Sequence, residues 1–412
     1  MKRILVVGCG FPQLSLVRAA KRRGLHVIGA DANPRAVAVK HCDEFVEVST
    51  NDVDRLCAAL RSSRADAVTT TGSEVALKAT AEVAARERHA FYADPDTVRL
   101  CQDKDAMRAA YARASVSVPA FARCEDLPAA RALAGRYGYP LVVKPARGWG
   151  QRGVARVDDE RDLVRAFEEA RAHSASAGLS AVIVEGWLEG REYSVNGWIE
   201  DGRLASYCVT ERLTVPGKRP LGVMIAELYP SGLSAEDEAR VVEEARRGAA
   251  ALGHVRGPCY SQVALGPGGR PTLFETAARL GGGFDADVTK LASGVDLYER
   301  LLGVALGDPA LERQGAVQPA QPAAVAKFLV AEPGFVRRVS GLDRARAEAG
   351  VQDVEVFVPV GGRVWPLTDS AKRAAYVLCE GASRADVLAR ADAALVRLRI
   401  ETQTEPAAEA TQ

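Results

Sequence analysis

Histidine is scarce in this chain, five residues in 412, and none of them (His26, His41, His89, His173, His254) stands at ligand spacing from a cysteine. The eight cysteines are equally dispersed and form no CxxC pair. These absences argue against a zinc site and a disulfide framework, and they weigh against a histidine-based triad. Charge of one sign is also missing: 54 Lys and Arg balance 53 Asp and Glu, with no basic block interleaved with aromatics. No nucleic-acid footprint is present, and the expected ligand is small. No apolar run approaches the roughly 18 residues that a membrane helix requires. The opening MKRILVVGCG has a short apolar run, but glycines and FPQ follow it instead of a long apolar region with a cleavage site. It reads as a first strand, and the expected compartment is the cytoplasm.

What is present is an ordinary globular mix, 48% hydrophobic and 26% charged, in a chain long enough for two or three cores. RILVV, then GCGFPQ, then LSLVRAAKRRG, then LHVIGAD reads as strand, glycine turn, helix, and a strand ending in Asp31. The pattern is superficially a dinucleotide fingerprint, but Gln13 occupies its third glycine position. EFVEVS, DAVTTTGSE and AFYAD continue the rhythm, separated by helical segments. Such alternation predicts an open parallel sheet with helices on both faces. Gly72, Ser73 and Glu74 fall at a strand's carboxyl end, where these folds place ligands; a plain turn capped by Ser73 is the alternative.

Residues 139–153, YPLVVKPARGWGQRG, deliver Lys144 at the end of a strand. Gly148, Gly150 and Gly153 follow, in a segment able to bring backbone N–H groups close to phosphate oxygens. Lys104 opens a helix, a placement the helix dipole disfavours unless solvent or an anion meets the lysine. AVIVEGWLEGREYSV carries Glu185, Trp187, Leu188 and Glu192 between two strands, an acceptor-rich segment with an apolar face suited to a base and a ribose, or simply a surface connection. A strand around LASYCVT, a polar loop ERLTVPGKRP and a helix from 234 to 253 come next. CYSQVALGPGGRPTLFE is a hairpin turned by GPGG, and its pairing brings Gln262 towards Glu275. An amide oxygen and a carboxylate placed so suit magnesium, completed by phosphate and water. Arg279 and three glycines close the stretch, which read alone is also consistent with a solvated surface.

Taken in order, the strand lysine with its glycine segment, the Glu-containing linker with GxE, and the paired strand bearing Gln and Glu before Arg and glycines resemble the ATP-grasp superfamily of ligases over essentially the whole chain. The resemblance implies an α/β and α+β protein. It has an N-terminal open parallel sheet (1–102), a central ATP-grasp domain (103–315, with a nucleotide-covering lobe 103–190 and a catalytic lobe 191–315), a C-terminal α+β lobe (316–400), and a disordered tail (401–412). QGAVQPAQPAAV is the expected connector to the C-terminal lobe. The resemblance further implies that Lys104 and Lys144 hold the phosphates of ATP and that residues 148–153, Gln151 among them, close over them. It gives Glu185, Trp187 and Leu188 to adenine, Glu192 to ribose, Gln262 and Glu275 to Mg²⁺ or alternatively Mn²⁺, and Arg279 to the transferring phosphoryl group. Glu74, Glu211, Gly281 and Gly282 then join Arg279 around a small carboxylate substrate, which an amine attacks after its activation.

Ala277 departs from the family pattern, which carries Asn there as a metal ligand, and Gln262 replaces the commoner acidic ligand. Glu, Ala, Arg and Gly-Gly in this order look more like the L-amino acid and peptide ligases than biotin carboxylase or the purine enzymes. The implied activity is therefore an ADP-forming carboxylate–amine ligase acting on amino acids, with bicarbonate-dependent carboxylation of a purine intermediate and non-catalytic nucleotide binding as alternatives. Relatives are commonly homodimers, so self-association is also implied.

Overall fold

The apolar run at the start is strand β1 (Arg3–Val7), buried on both faces. Ile4 and Val6 enter one core with Leu14, Val17 and Leu301, while Leu5 and Val7 enter another with Leu56, Leu60 and Val83. The computed structural model describes residues 1–147, 151–176, 178–179, 181–217, 220–312 and 322–404. After β1 come α1 (Phe11–Arg22), β2 (His26–Asp31), β3 (Glu44–Glu47), α2 (Val53–Ser62), β4 (Ala67–Thr69), α3 (Glu74–Glu87) and α4 (Pro95–Gln102). The four strands form a parallel sheet in the order β3-β2-β1-β4. AFYAD adds no fifth strand. Its Phe91 and Tyr92 rings stack at 4.2 Å, and Asp94 caps α4, with Pro95 at the first helical position turning the chain into the helix. The fingerprint groups are spent on structure: Gln13 donates Nε2 to the Thr71 carbonyl at 2.6 Å, and Asp31 accepts from the Cys9 amide at 2.7 Å.

A second unit contains α5 (Lys104–Arg113), β5 (Phe121–Cys124), α6 (Leu127–Tyr137), β6 (Leu141–Pro145), β7 (Ala155–Val157), α7 (Glu160–Ser176) and β8 (Val182–Gly186). Its sheet, β5-β8-β6-β7, is antiparallel, and α6 and α7 cover one face through Ala130, Leu133, Leu163 and Phe167. The helix α5 packs elsewhere. Met107 and Tyr111 join the core beneath the next sheet.

That sheet is built from β9 (Arg191–Glu200), β10 (Arg203–Thr214), β11 (Met224–Tyr229), β12 (Gly257–Leu265) and β13 (Pro271–Ala277), with α8 (Ala235–Ala251), α9 (Asp285–Ser293), α10 (Leu297–Leu306) and α11 (Pro309–Glu312) following in the chain. β10 runs on through Thr214, so the first four residues of the expected polar loop are strand. Their charges are accommodated because the buried Arg212 guanidinium meets the Glu227 carboxylate of β11 at 3.2 Å. The chain then supplies β14 (Ala323–Leu329), β15 (Gly334–Ser340), α12 (Leu342–Arg346), β16 (Val351–Val356), β17 (Arg363–Val364), β18 (Ala375–Gly381), α13 (Arg384–Arg397) and β19 (Arg399–Gln403). β14 pairs with β11, making one eight-stranded sheet, β13-β12-β9-β10-β11-β14-β18-β16. The expected boundary near 316 is therefore not a break in the sheet. Most of the connector, and residues 405–412 of the expected tail, lie outside the described residues. Residues 401–403 are strand, paired through β19 to β15. Among the described residues, no helix is long and apolar enough to cross a membrane.

Candidate active site

Between the antiparallel lobe and the eight-stranded sheet lies a cavity of about 510 Å³. Its wall takes Lys144 from β6, Glu185 from β8, Trp187 and Leu188 from the linker, Glu192 from β9, and Lys104 from the first turn of α5. Gln151 and Arg152 line it from the far side of the glycine segment; Gly148 and Gly150 fall outside the described residues. Gln262, Glu275 and Arg279 arrive from the β12–β13 hairpin and the turn after it, and Glu74 from the start of α3. Chain segments up to about two hundred residues apart in sequence, Glu74 and Arg279 among them, thus meet in one space.

At the end formed by β6 and β8, two cations flank a buried carboxylate. Glu185 accepts from Arg108 Nε at 2.9 Å on one oxygen and pairs with Lys144 Nζ at 2.7 Å on the other. Burial alone would push this carboxyl up, but Arg108 and Lys144 outweigh it and hold Glu185 at about 2. Burial lowers Lys144 to about 8 against the pull of Glu185, with Arg108 and Lys104 adding to the lowering. The carboxylate expected at an adenine edge is thus occupied in fixing Lys144. Sequence reading missed Arg108, which also donates to the Phe274 carbonyl at 2.6 Å and so ties the lobe to the β13 strand. The Trp187 ring is covered by the Arg156 guanidinium at 4.4 Å.

At the hairpin, Gln262 and Glu275 are direct register partners, beside a bulge at Gln262 and Val263. Gln262 donates Nε2 to Tyr260 Oη at 3.1 Å, leaving its amide oxygen for another partner. Tyr260 belongs to a buried network absent from the sequence reading, in which Arg212 Nη1 reaches Tyr260 Oη at 2.5 Å, and Glu227 accepts from Ser194 at 2.9 Å and Thr210 at 2.6 Å. Burial and the neighbouring Asp285 push Glu227 up to about 8. An amide oxygen and a carboxylate projecting into one cavity suit Mg²⁺, which takes one or two protein oxygens and leaves the rest of its octahedron to phosphates and water. The buried Ala277, on the same strand, supplies no donor.

Arg279 joins the hairpin to the first unit. Its Nη2 pairs with Glu74 Oε1 at 2.5 Å, and its Nη1 donates to the Leu280 carbonyl at 3.0 Å. Burial would lower this guanidinium, but Glu74, then Tyr260 and Glu275, raise it, so it stays charged. Glu74 Oε2 is buried with no hydrogen-bond partner among the described residues. Gly281 donates its amide to Asn196 Oδ1 at 3.1 Å. A Cβ on Gly282 would sit 2.6 Å from the Gly72 carbonyl oxygen, so the two loops touch backbone to backbone. Gly281, Gly282 and Gly153 support the walls without lining the cavity. Glu211 is placed elsewhere: its carboxylate is taken by Arg384 and, at 3.4 Å, by Arg191, which removes it from the substrate-facing set.

A family model of the carbamoyl-phosphate synthase L chain ATP binding domain matches residues 103–313, and one of the L-amino acid ligase C-terminal domain 2 matches residues 327–403. The uncharacterized protein y4rH of Sinorhizobium fredii is 28% identical over 90% of this chain and 76% of its own length. The chain spans about half the length or less of several other curated relatives. An L-amino acid ligase from Bacillus licheniformis superposes with a TM-score of 0.78 at 21% identity, over 98% of this chain and 99% of that one. The biotin carboxylase domain of Hydrogenobacter thermophilus 2-oxoglutarate carboxylase, solved with MgADP and bicarbonate, gives 0.79 at 19% identity, over 97% and 90%. At these identities the two structures speak to the fold.

Proposed function

The chain belongs to the ATP-grasp superfamily of ligases, and on that premise we propose that it activates an amino acid carboxylate with ATP and couples it to an amine, releasing ADP and phosphate. The observation that carries this reading is the Arg279–Glu74 pair beside Gln262 and Glu275, within the cavity that also holds Lys104 and Lys144. Lys104 and Lys144 face the phosphates. Arg279 stabilises charge as the phosphoryl group passes to the carboxylate and as the amine attacks the acyl phosphate. Glu74 Oε2, buried and unpartnered among the described residues, accepts from the ammonium of an α-amino acid. Gln262 and Glu275 would hold Mg²⁺, which when bound supplies neutralisation of phosphate charge.

Phosphoryl transfer needs positioning and charge cancellation more than covalent help, which suits a cavity whose chemistry is carried by cations and carboxylates. The test is ADP release from Mg-ATP across pairs of amino acids, with hydroxylamine as a substitute nucleophile. ADP together with a hydroxamate supports the reading. AMP and pyrophosphate would exclude acyl-phosphate chemistry, and ADP release that depends on bicarbonate would redirect it to carboxylation.

A further inference from the structure

Gln151 holds a backbone conformation that side chains other than glycine's rarely adopt, with φ +63°. It lies at the cavity wall, and its strain calls for something that over-determines it. The restraint comes from 219 residues further along the chain. Ser370 donates its hydroxyl to Gln151 Oε1 at 2.6 Å, and Arg152 Nε lies 3.5 Å from Asp369 Oδ2. Gly153, with φ +68°, completes the turn where a Cβ would come within 2.7 Å of the His173 ring and 3.0 Å of Pro145.

The 369–373 segment is itself anchored. Asp369, 5% exposed, accepts from the Ala371 amide at 2.9 Å, capping a short turn over Ser370–Lys372. Arg373 follows, buried, donating to the Met224 carbonyl at 2.7 Å and stacking over Phe328 at 4.0 Å. Asp369 and Ser370 are therefore tied through Arg373 to β11 of the eight-stranded sheet, whereas Gln151 and Arg152 lie just before β7 of the four-stranded lobe across the cavity.

We propose that Asp369 and Ser370 are positioning residues that latch the 151–153 turn over the cavity, so that Gln151 and Arg152 retain a bound nucleotide. The latch rests on the nucleotide reading above and adds to it a restraint from the C-terminal part of the chain. It acts on retention, so its signature is the nucleotide off-rate.

The experiment follows dissociation of Mg-bound mant-ATP by stopped flow from the full-length protein. Ser370→Ala should release it about three- to tenfold faster, the range of one hydrogen bond, without lowering the melting temperature of the nucleotide-free protein. Gln151→Ala should release it at least as fast, and the double variant should match Gln151→Ala alone, because the Ser370 contact is already gone in it. Asp369→Asn, which keeps an acceptor for the Ala371 amide, should also speed release, by less at high salt because Arg152 is half-exposed. Unchanged dissociation in Ser370→Ala, or fully additive effects of the 151 and 370 changes, would overturn the latch. A wild-type chain that never retains mant-ATP would overturn the nucleotide reading and the latch together.

Discussion

Lys144 is held near neutrality's edge by its surroundings, and that gives it a pH signature. Its ammonium form binds phosphate, and at about 8 it begins to lose its proton as pH rises. Nucleotide affinity should therefore be level below pH 8 and fall above it, by up to about tenfold per unit. Lys144→Arg stays charged across that range and should flatten the profile, as titration of mant-ATP binding from pH 7 to 10 will show. Lys144→Ala should weaken binding at every pH. Arg279→Ala, by contrast, should leave nucleotide affinity near wild type while lowering coupled ADP release by about a hundredfold or more, as expected for a group that acts on developing charge. Tyr260→Phe removes the hydroxyl that orients Gln262 and should raise the Mg²⁺ concentration for half-maximal turnover by about tenfold, measured by ADP release in a Mg²⁺ titration.

At the scale of elements, what local chemistry dictates was legible, and what distant partners dictate was not. The β12–β13 hairpin is announced by GPGG, which sets the register from Leu265 and Pro271 to Val263 and Leu273, whereas the bulge that brings Gln262 opposite Glu275 instead of Phe274 carries no signal in the sequence. The α8 helix is framed by Ser234, whose hydroxyl accepts from the Asp237 amide. Arg108 gave no signal, because an arginine in the middle of KDAMRAAYAR looks like a surface residue until Glu185 and the 273–274 carbonyls approach from far along the chain. The end of β10 was hidden for the same reason: ERLT reads as a polar loop unless Glu227 is known to lie opposite Arg212. α10 illustrates a third case. The apolar spacing of LYERLLGVAL suits a helix, but nothing local says that Leu297 and Leu301 cover the sheet formed by the first seventy residues. Leu301→Ala should destabilise that sheet by about 2–5 kcal/mol, read as a lower urea midpoint in equilibrium unfolding.

For the molecule as a whole, the continuous eight-stranded sheet matters more than the boundaries drawn along the sequence. β14 occupies an interior position between β11 and β18, so a chain ending at 315 would leave β11 as an open edge and strip Leu228 and Ala226 of their core neighbours. Such a truncation should aggregate, seen as an early-eluting species on size-exclusion analysis, and should bind a hydrophobic dye strongly. α10 has a consequence of another kind. One face of the β1–β4 sheet, packed in part by Leu14 and Val17 of α1, completes its cover only when residues 297–306 have left the ribosome, about two hundred and thirty residues after the last of its strands. At about 5–20 residues per second, the nascent chain carries the α10-facing part of that apolar face uncovered for on the order of ten seconds or more. During synthesis, this is the surface on which a chaperone would be expected to wait.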